Sequence, residues 1–329
     1  MSHGFSVDRY DSMRYRRCGR SGLLLPAISL GAWETFGGYR GEEVARACLF
    51  RVFDLGITHF GFANNYGTPP GNAELVCGRI IRQMPRNELM ISSKAGYRMW
   101  PGPYGDGGSR KYIIASCDQA LRCMGLEYFD IFYAHRPDPE TPLDEMPGAL
   151  DHLVRHGKAL YVGVSTYSGA HFADAVRTTD RLRLAPITIH QPPYNMLRRM
   201  IEWDLLPQTE RAGTGVIAFS PLASSLLTDK YLGGDIPAAS RAAEKWGSAW
   251  VRENLTPERL AALRQLNELA RARGQTLAQM ALAWILRLPA VTLIGASSAQ
   301  QVEKNIAALS NLTCSDDELR RIDELAPAR

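Results

Sequence analysis

A phenol, an ammonium and an imidazole follow three successive strand-like runs. Tyr66 in FANNYG follows ITHF (57–60), Lys94 in ISSKAG comes just after LMISS (89–93), and His135 in YAHRPD follows YFDIFYA (128–134). All three side chains handle protons. A phenol, with an ordinary pKa near 10, is too weak an acid and too strong a base for work near neutrality unless a neighbour tunes it, and an adjacent ammonium does that. An imidazole beside them can offer an N–H to an oxygen that is gaining charge. Taken singly, a loop tyrosine usually packs, a lysine is usually solvated and a histidine is usually structural. Together, at consecutive strand ends, they point to one site.

For these groups to meet, their strands must run parallel and close on one another. Eight short runs rich in β-branched and aromatic residues read as such strands: AISLG (27–31), ITHF, LMISS, YFDIFYA, ALYVGVS (159–165), ITIH (187–190), GVIAFS (215–220) and VTLIG (291–295). Helical patterns fill the gaps, from EEVARACLFRVFDLG through MIEWDLLPQTERAG and TLAQMALAWILRL to AQQVEKNIAALS. Gly56, Gly125, Gly157, Gly213 and Gly274 follow helical runs in the manner of C-caps. The alternation predicts an α/β fold, a single (β/α)8 TIM barrel over 1–329 with an N-terminal β-hairpin formed by RYRRCG and GLLLPA. Strand C-termini converge on one face of such a barrel, and long loops belong there: WPGPYGDGGSR after the third strand and residues 224–255 after the seventh. Near the C-terminus, Ser315 with Glu318 three places on predicts a capping box and a last helix.

Composition sets the outer limits. The 329 residues suit one barrel, the chain is 45% hydrophobic and 22% charged, and no apolar run is long enough to span a bilayer. A net charge of +4, with both signs scattered, argues against a nucleic-acid partner. Six cysteines without CxxC pairs or zinc-ligand spacing predict free thiols and no metal site. The first twenty residues lack an apolar signal core, which predicts a cytoplasmic protein.

The order and spacing of Tyr66, Lys94 and His135 resemble three members of the aldo-keto reductase tetrad. Its fourth member, an Asp five residues before the Tyr, would fall on Gly61. The resemblance runs from about Arg14 to Ala326. It is strongest to a bacterial branch containing glyceraldehyde 3-phosphate reductases and extends to potassium-channel β subunits, through FANNYGTPPGNAE, SSKAGYRMWPGPYGDGGSRKY, GLEYFDIFYAHRPD and GKALYVGVSTYS. It implies NADPH-dependent reduction of small aldehydes, with Tyr66 as proton donor, Lys94 as its tuner and His135 as hydrogen-bond donor to the substrate oxygen. It also implies a homotetramer or larger homo-oligomer.

The resemblance assigns a cofactor set as well. Ser165 and Thr166 in VGVSTY, Gln191 in IHQPPYN and Trp33 match positions around a nicotinamide, and Phe219 matches the residue stacked under its ring. Ser220, Pro221, Leu222, Ala223 and Ser224 match a pyrophosphate-side loop. Gly295, Ser297, Gln301 and Asn305 match adenosine-phosphate positions at a helix start, whose amides suit an anion. Lys230 and Arg241 match clamping positions that favour the extra phosphate of NADPH over NADH. Lys304 departs from the pattern, standing where that branch carries a Glu. No GxGxxG fingerprint is present, in keeping with a cofactor held across a barrel.

Trp33, Tyr97, Trp100 and Tyr104 are the candidate walls of a substrate pocket, and Arg110, Lys111 and Arg136 are candidates to meet a substrate phosphate. Two functional readings follow. One is an NADPH-dependent aldehyde reductase weakened by Gly61; the other is an NADP(H)-binding, redox-sensing partner protein with little turnover.

Overall fold

A computed structural model of the chain describes residues 4–33, 35–38, 40–238, 242–243 and 247–328, with residue 248 described by its backbone alone. The elements run β1 (Tyr15–Arg17), β2 (Leu24–Pro26), β3 (Ile28–Gly31), α1 (Glu42–Asp54), β4 (His59–Gly61), α2 (Asn72–Ile81), β5 (Met90–Ala95) and α3 (Arg110–Met124). They continue as β6 (Phe129–Ala134), α4 (Glu145–Arg155), β7 (Ala159–Ser165), α5 (Gly169–Leu182), β8 (Ile187–Gln191), α6 (Ile201–Asp204), α7 (Leu206–Ala212) and β9 (Gly215–Phe219). The remainder is α8 (Gly247–Asn254), α9 (Pro257–Ala272), α10 (Leu277–Leu286), β10 (Val291–Gly295), α11 (Ala299–Ile306) and α12 (Asp316–Leu325).

The strands β3 to β10 form a closed barrel in which β10 pairs in parallel with both β9 and β3, as the sequence predicts. The hairpin β1–β2 is a separate antiparallel pair. Lys94 lies inside β5 rather than behind it, because that strand continues two residues past the expected end. The expected helix over 200–213 is broken into α6 and α7, since Pro207, near the start of α7, has no N–H to continue the first helix. Two helices escape the sequence reading. Within the stretch read as a loop, α8 forms over Gly247–Asn254. Behind it, α9 starts on a Thr256 side-chain cap followed by Pro257, a start signal visible in LTPERLAAL. The Ser315–Glu318 capping box is present as expected.

Contacts divide the chain into two compact units: Met1–Pro192, Ile201–Phe219 and Pro289–Glu303; and Pro193–Met200, Ser220–Leu288 and Lys304–Arg329. In the first, strand alternation turns Ile131, Tyr133, Ile189, Ile217, Val291 and Leu293 into the barrel, where they pack with Cys18, Leu23 and Leu25 of the hairpin region. Burying each of the large ones contributes about 2 kcal/mol, which makes the interior a packed plug rather than a pore. Gly163 permits this packing: a Cβ there would stand 2.7 Å from the Tyr133 ring. In the second unit α10 is buried along nearly its whole length, and Trp284 packs on Tyr194 with ring centroids 5.1 Å apart.

All six cysteines are free. Among the described residues no His, Cys, Asp or Glu cluster is placed to hold a metal ion, and no helix is long and apolar enough to cross a membrane.

Candidate active site

The register of β3, β4, β5 and β6 brings the three candidate proton carriers together. Past the end of β4, the chain keeps pairing with β5: Phe62 N–H donates to Ser92 O at 2.8 Å and Asn64 N–H to Lys94 O at 2.9 Å. A turn closed by Tyr66 N–H on Ala63 O then sets the phenol over the strand ends, where Gly71 and Ala73 N–H donate to Tyr66 O. His135 follows β6 directly and is fixed by its N–H on Ala95 O and by Thr166 Oγ1 on its own carbonyl. Tyr66 and His135 meet edge to face with ring centroids 5.9 Å apart, and Lys94 Nζ lies 5.1 Å from the centre of the Tyr66 ring.

Lys94 is fully buried, and its Nζ donates to the Phe62 carbonyl at 2.6 Å. Among the described residues no carboxylate forms an ion pair with it. Gly61 is the last residue of β4 and presents none, and the two nearby asparagines do not take over. Asn64 Nδ2 donates to Tyr112 Oη at 3.2 Å, while the buried Oδ1 atoms of Asn64 and Asn65 have no partner among the described residues. Burial lowers Lys94 to about 7, against an opposing pull from Glu74. Burial also pushes the Tyr66 phenol well above its ordinary value, with Tyr97 adding to the rise. His135 is held well below the usual imidazole value by burial and then by the positive charges of Lys94 and Arg136. At neutral pH the trio is therefore a protonated phenol, a neutral imidazole and a lysine near its titration point.

Beneath this trio the barrel carries a polar layer that the sequence reading missed. His59 is fully buried in β4, with Nδ1 3.0 Å from Ser29 Oγ and Nε2 2.9 Å from Ser92 Oγ. Burial, and then the charge of Lys94, lowers it to about 3, so it is a neutral bridge. Glu74, in the GNAE run at the start of α2, is also buried, and its Oε1 accepts from Ser93 Oγ at 2.5 Å. A carboxylate on the apolar face of that helix was the available signal.

The candidate substrate wall is only partly assembled around the trio. Tyr97 stands edge to face on His135 at 4.7 Å, and the Arg136 guanidinium lies 4.6 Å from the Tyr97 ring centre. Trp100 packs on Tyr112 at 5.2 Å, whereas Trp33 and Tyr104 are exposed, with Lys111 Nζ 5.2 Å from the Tyr104 ring. Arg136 is already engaged by Asp106 Oδ1 at 2.8 Å and by the Gly96 carbonyl, which weakens it as a phosphate anchor. The Arg110 backbone N–H donates to Glu145 Oε1.

The candidate cofactor residues carry features that fit a dinucleotide. In the first unit Ser165 Oγ donates to Gln191 O at 2.8 Å, and the buried Gln191 Nε2 has no partner among the described residues, a donor available to a carboxamide oxygen. Phe219 is partly buried against the barrel core. The N-terminus of α11 is closed on itself, since Ser297 N–H and Oγ both donate to Gln301 Oε1 at 2.8 and 2.9 Å. Gly295 offers open space beside its backbone. In the second unit Ser220, Ala223, Ser224 and Ser225 all adopt positive φ, a costly backbone of the kind kept at ligand sites. The loop between them includes Pro221 and Leu222, and Asn195 Nδ2 pins the Ser220 carbonyl at 2.9 Å. Asn305 is buried with Nδ2 lacking a partner among the described residues, and the Lys304 carbonyl accepts from Gln279 Nε2 at 2.8 Å. Lys230 lies in a short turn capped by Thr228, and Arg241 lies outside the described residues.

Comparison with known proteins identifies the family. The model of the aldo/keto reductase family matches residues 27–327. An L-glyceraldehyde 3-phosphate reductase of Escherichia coli O157:H7 is 52% identical over 325 residues, covering 96% of this chain and 93% of its own. The protein of the same name from Escherichia coli strain K12 is 53% identical over the same length and shares. A Schizosaccharomyces pombe chain named as a voltage-gated potassium channel subunit beta is 38% identical over 326 residues, covering 94% of this chain and 92% of its own.

Proposed function

Because the chain belongs to the aldo/keto reductase family, we propose that it reduces small aldehydes of the glyceraldehyde 3-phosphate or methylglyoxal type with NADPH, at a rate limited by Gly61. The observation that carries this reading is the meeting of Tyr66, Lys94 and His135 on one barrel face. NADPH, when bound, supplies the hydride. Gln191, Ser165, Thr166 and Phe219 would hold its nicotinamide end, and Lys230, Arg241, Ser297, Gln301 and Asn305 its phosphates and adenosine.

The chain's own residues supply the proton and the orientation. Tyr66 gives its phenolic proton to the substrate oxygen, and neutral His135 donates an N–H to the same oxygen. Lys94 offsets the negative charge left on the phenolate, as far as it is protonated. A lysine at about 7 does so with only part of its population at neutral pH, which is the physical basis for slow turnover. Tyr97, packed on His135, limits the room for water beside the imidazole.

The test is a titration of purified protein with NADPH and a panel of short aldehydes, including glyceraldehyde 3-phosphate, followed by nicotinamide absorbance. NADPH consumption with an aldehyde is expected. NADPH binding with no consumption across the panel would favour a cofactor-binding partner protein, the reading that Gly61 otherwise supports.

A further inference from the structure

We propose that Glu74 is the counter-charge of Lys94 in this chain: its buried carboxylate, anchored to Ser93 on the outer face of β5, acts through the strand on the ammonium of the inner face. It is a positioning residue, since nothing places it against substrate or cofactor. The inference rests on the reading of Lys94 as the tuner of Tyr66, and adds how this chain keeps that lysine charged.

The placement follows from strand alternation. Successive residues of β5 face opposite ways: Ser93 meets Glu74 of α2, while Lys94 points inward to the Phe62 carbonyl and the rings of Tyr66 and Tyr133. Both ionisable side chains are almost fully excluded from solvent, where a charge acts over a longer range than in water. The direct position for a carboxylate, at the end of β4, is Gly61. Each group also bears on the other's proton affinity: Glu74 raises that of Lys94, and Lys94 lowers that of Glu74, against burial in both cases. A buried lysine with no opposing charge would simply go neutral.

The other groups around the pair do not compete for this role. Facing Lys94 are the rings of Tyr66 and Tyr133 and the histidines His59 and His135; burial raises both phenols and holds both imidazoles neutral at pH 7. Near Glu74 are Cys77 of its own helix, with Cys48 of α1 beyond it, and Cys117 and Cys123 of α3; all four thiols are raised, so they stay protonated near neutrality. Among the described residues that leaves one acid and one base to share the charge, a pair that titrates as a unit.

The chain has only six lysines, so NMR with 13Cε-labelled lysine can follow Lys94 by itself in the full protein. Glu74→Gln keeps an oxygen for Ser93 and removes the charge. The Lys94 midpoint is expected to fall by about one pH unit, the scale of a nearby opposite charge. A folded Gln variant with an unmoved Lys94 midpoint overturns the proposal. Should that variant fail to fold, Lys94→Met provides the reciprocal reading: the Glu74 midpoint, followed with 13Cδ-labelled glutamate, is expected to rise, and an unchanged value overturns the proposal. Both midpoints are read without turnover. A protein that consumes no NADPH would sink the reductase reading and leave this test standing.

Discussion

Leu293 leans over Gly61. A Cβ built on Gly61 would come within 2.9 Å of Leu293 Cδ1, and one built on Gly31 within 2.7 Å of Leu293 Cδ2. The paired glycines of β3 and β4 thus receive a leucine of β10, close to where a carboxylate would face Lys94. Gly61→Asp must rotate the far end of that leucine, a crowding cost of about 1 kcal/mol. It also places a carboxylate beside a buried ammonium. Lys94 should rise above its present value of about 7. Turnover should increase by about ten-fold or more, and the upper limb of the pH profile should move to higher pH. Gly61→Ala supplies the crowding without the charge. Steady-state profiles of the three proteins decide the matter: an Asp variant no faster than the Ala variant at any pH would mean that the missing carboxylate does not limit the rate.

Replacing Tyr66 by Phe removes only the hydroxyl at the mouth of the barrel. Its backbone carbonyl still accepts from Gly71 and Ala73, so the turn should persist. Turnover should fall by roughly 10² to 10⁴-fold, the scale of a positioned acid, while NADPH affinity stays near the parent value. A Phe variant with parental turnover would show that the proton comes from elsewhere.

Cofactor choice gives a third expectation. If Arg241 meets the 2′-phosphate, Arg241→Ala should weaken NADPH by about 1.5 to 3 kcal/mol, the value of a hydrogen bond to a charged group, and NADH by much less. Binding titrations with both nucleotides compare the losses directly. Equal losses would leave the residue without a part in specificity.

The barrel was legible because its strands announce themselves. The eight short runs, rich in β-branched and aromatic residues, are buried almost end to end and alternate with helical patterns, so the order, the parallel closure and the convergence of Tyr66, Lys94 and His135 all follow from local pattern. What the sequence hid is set by packing across distant segments. Nothing local to His59 says that Ser29 and Ser92 bracket it, because that depends on the register of three strands. Similarly, Glu74 reads as an ordinary helix-start acid until α2 is laid against Ser93. The reach of Leu293 over Gly61 joins residues more than two hundred positions apart. The split at Pro207 was readable from the residue itself, and α9 from its Thr256–Pro257 start.

His59 gives the last expectation, on stability rather than rate. Its buried ring bridges two serine hydroxyls in the neutral form, and its folded pKa is lowered to about 3 from an ordinary 6.5. The unfolded chain therefore takes up this proton first. The stability it confers is fully present above pH 6.5 and is lost as the pH falls toward 3. His190, also buried and lowered to about 3, acts in the same direction. Glu74 acts in the opposite one, because its raised value of about 7 lets the folded state bind a proton before the unfolded chain does, so its contribution grows as pH falls from 7 to 4.5. His59→Gln removes one of these terms and leaves the other two. Comparing urea unfolding at pH 7 and pH 4, the parent should lose more stability on acidification than the variant, by about 2 kcal/mol, well within the thermodynamic limit of 1.36 kcal/mol per pKa unit. Should parent and variant lose the same amount, the Ser29–His59–Ser92 bridge would not be the acid-sensitive element of the barrel.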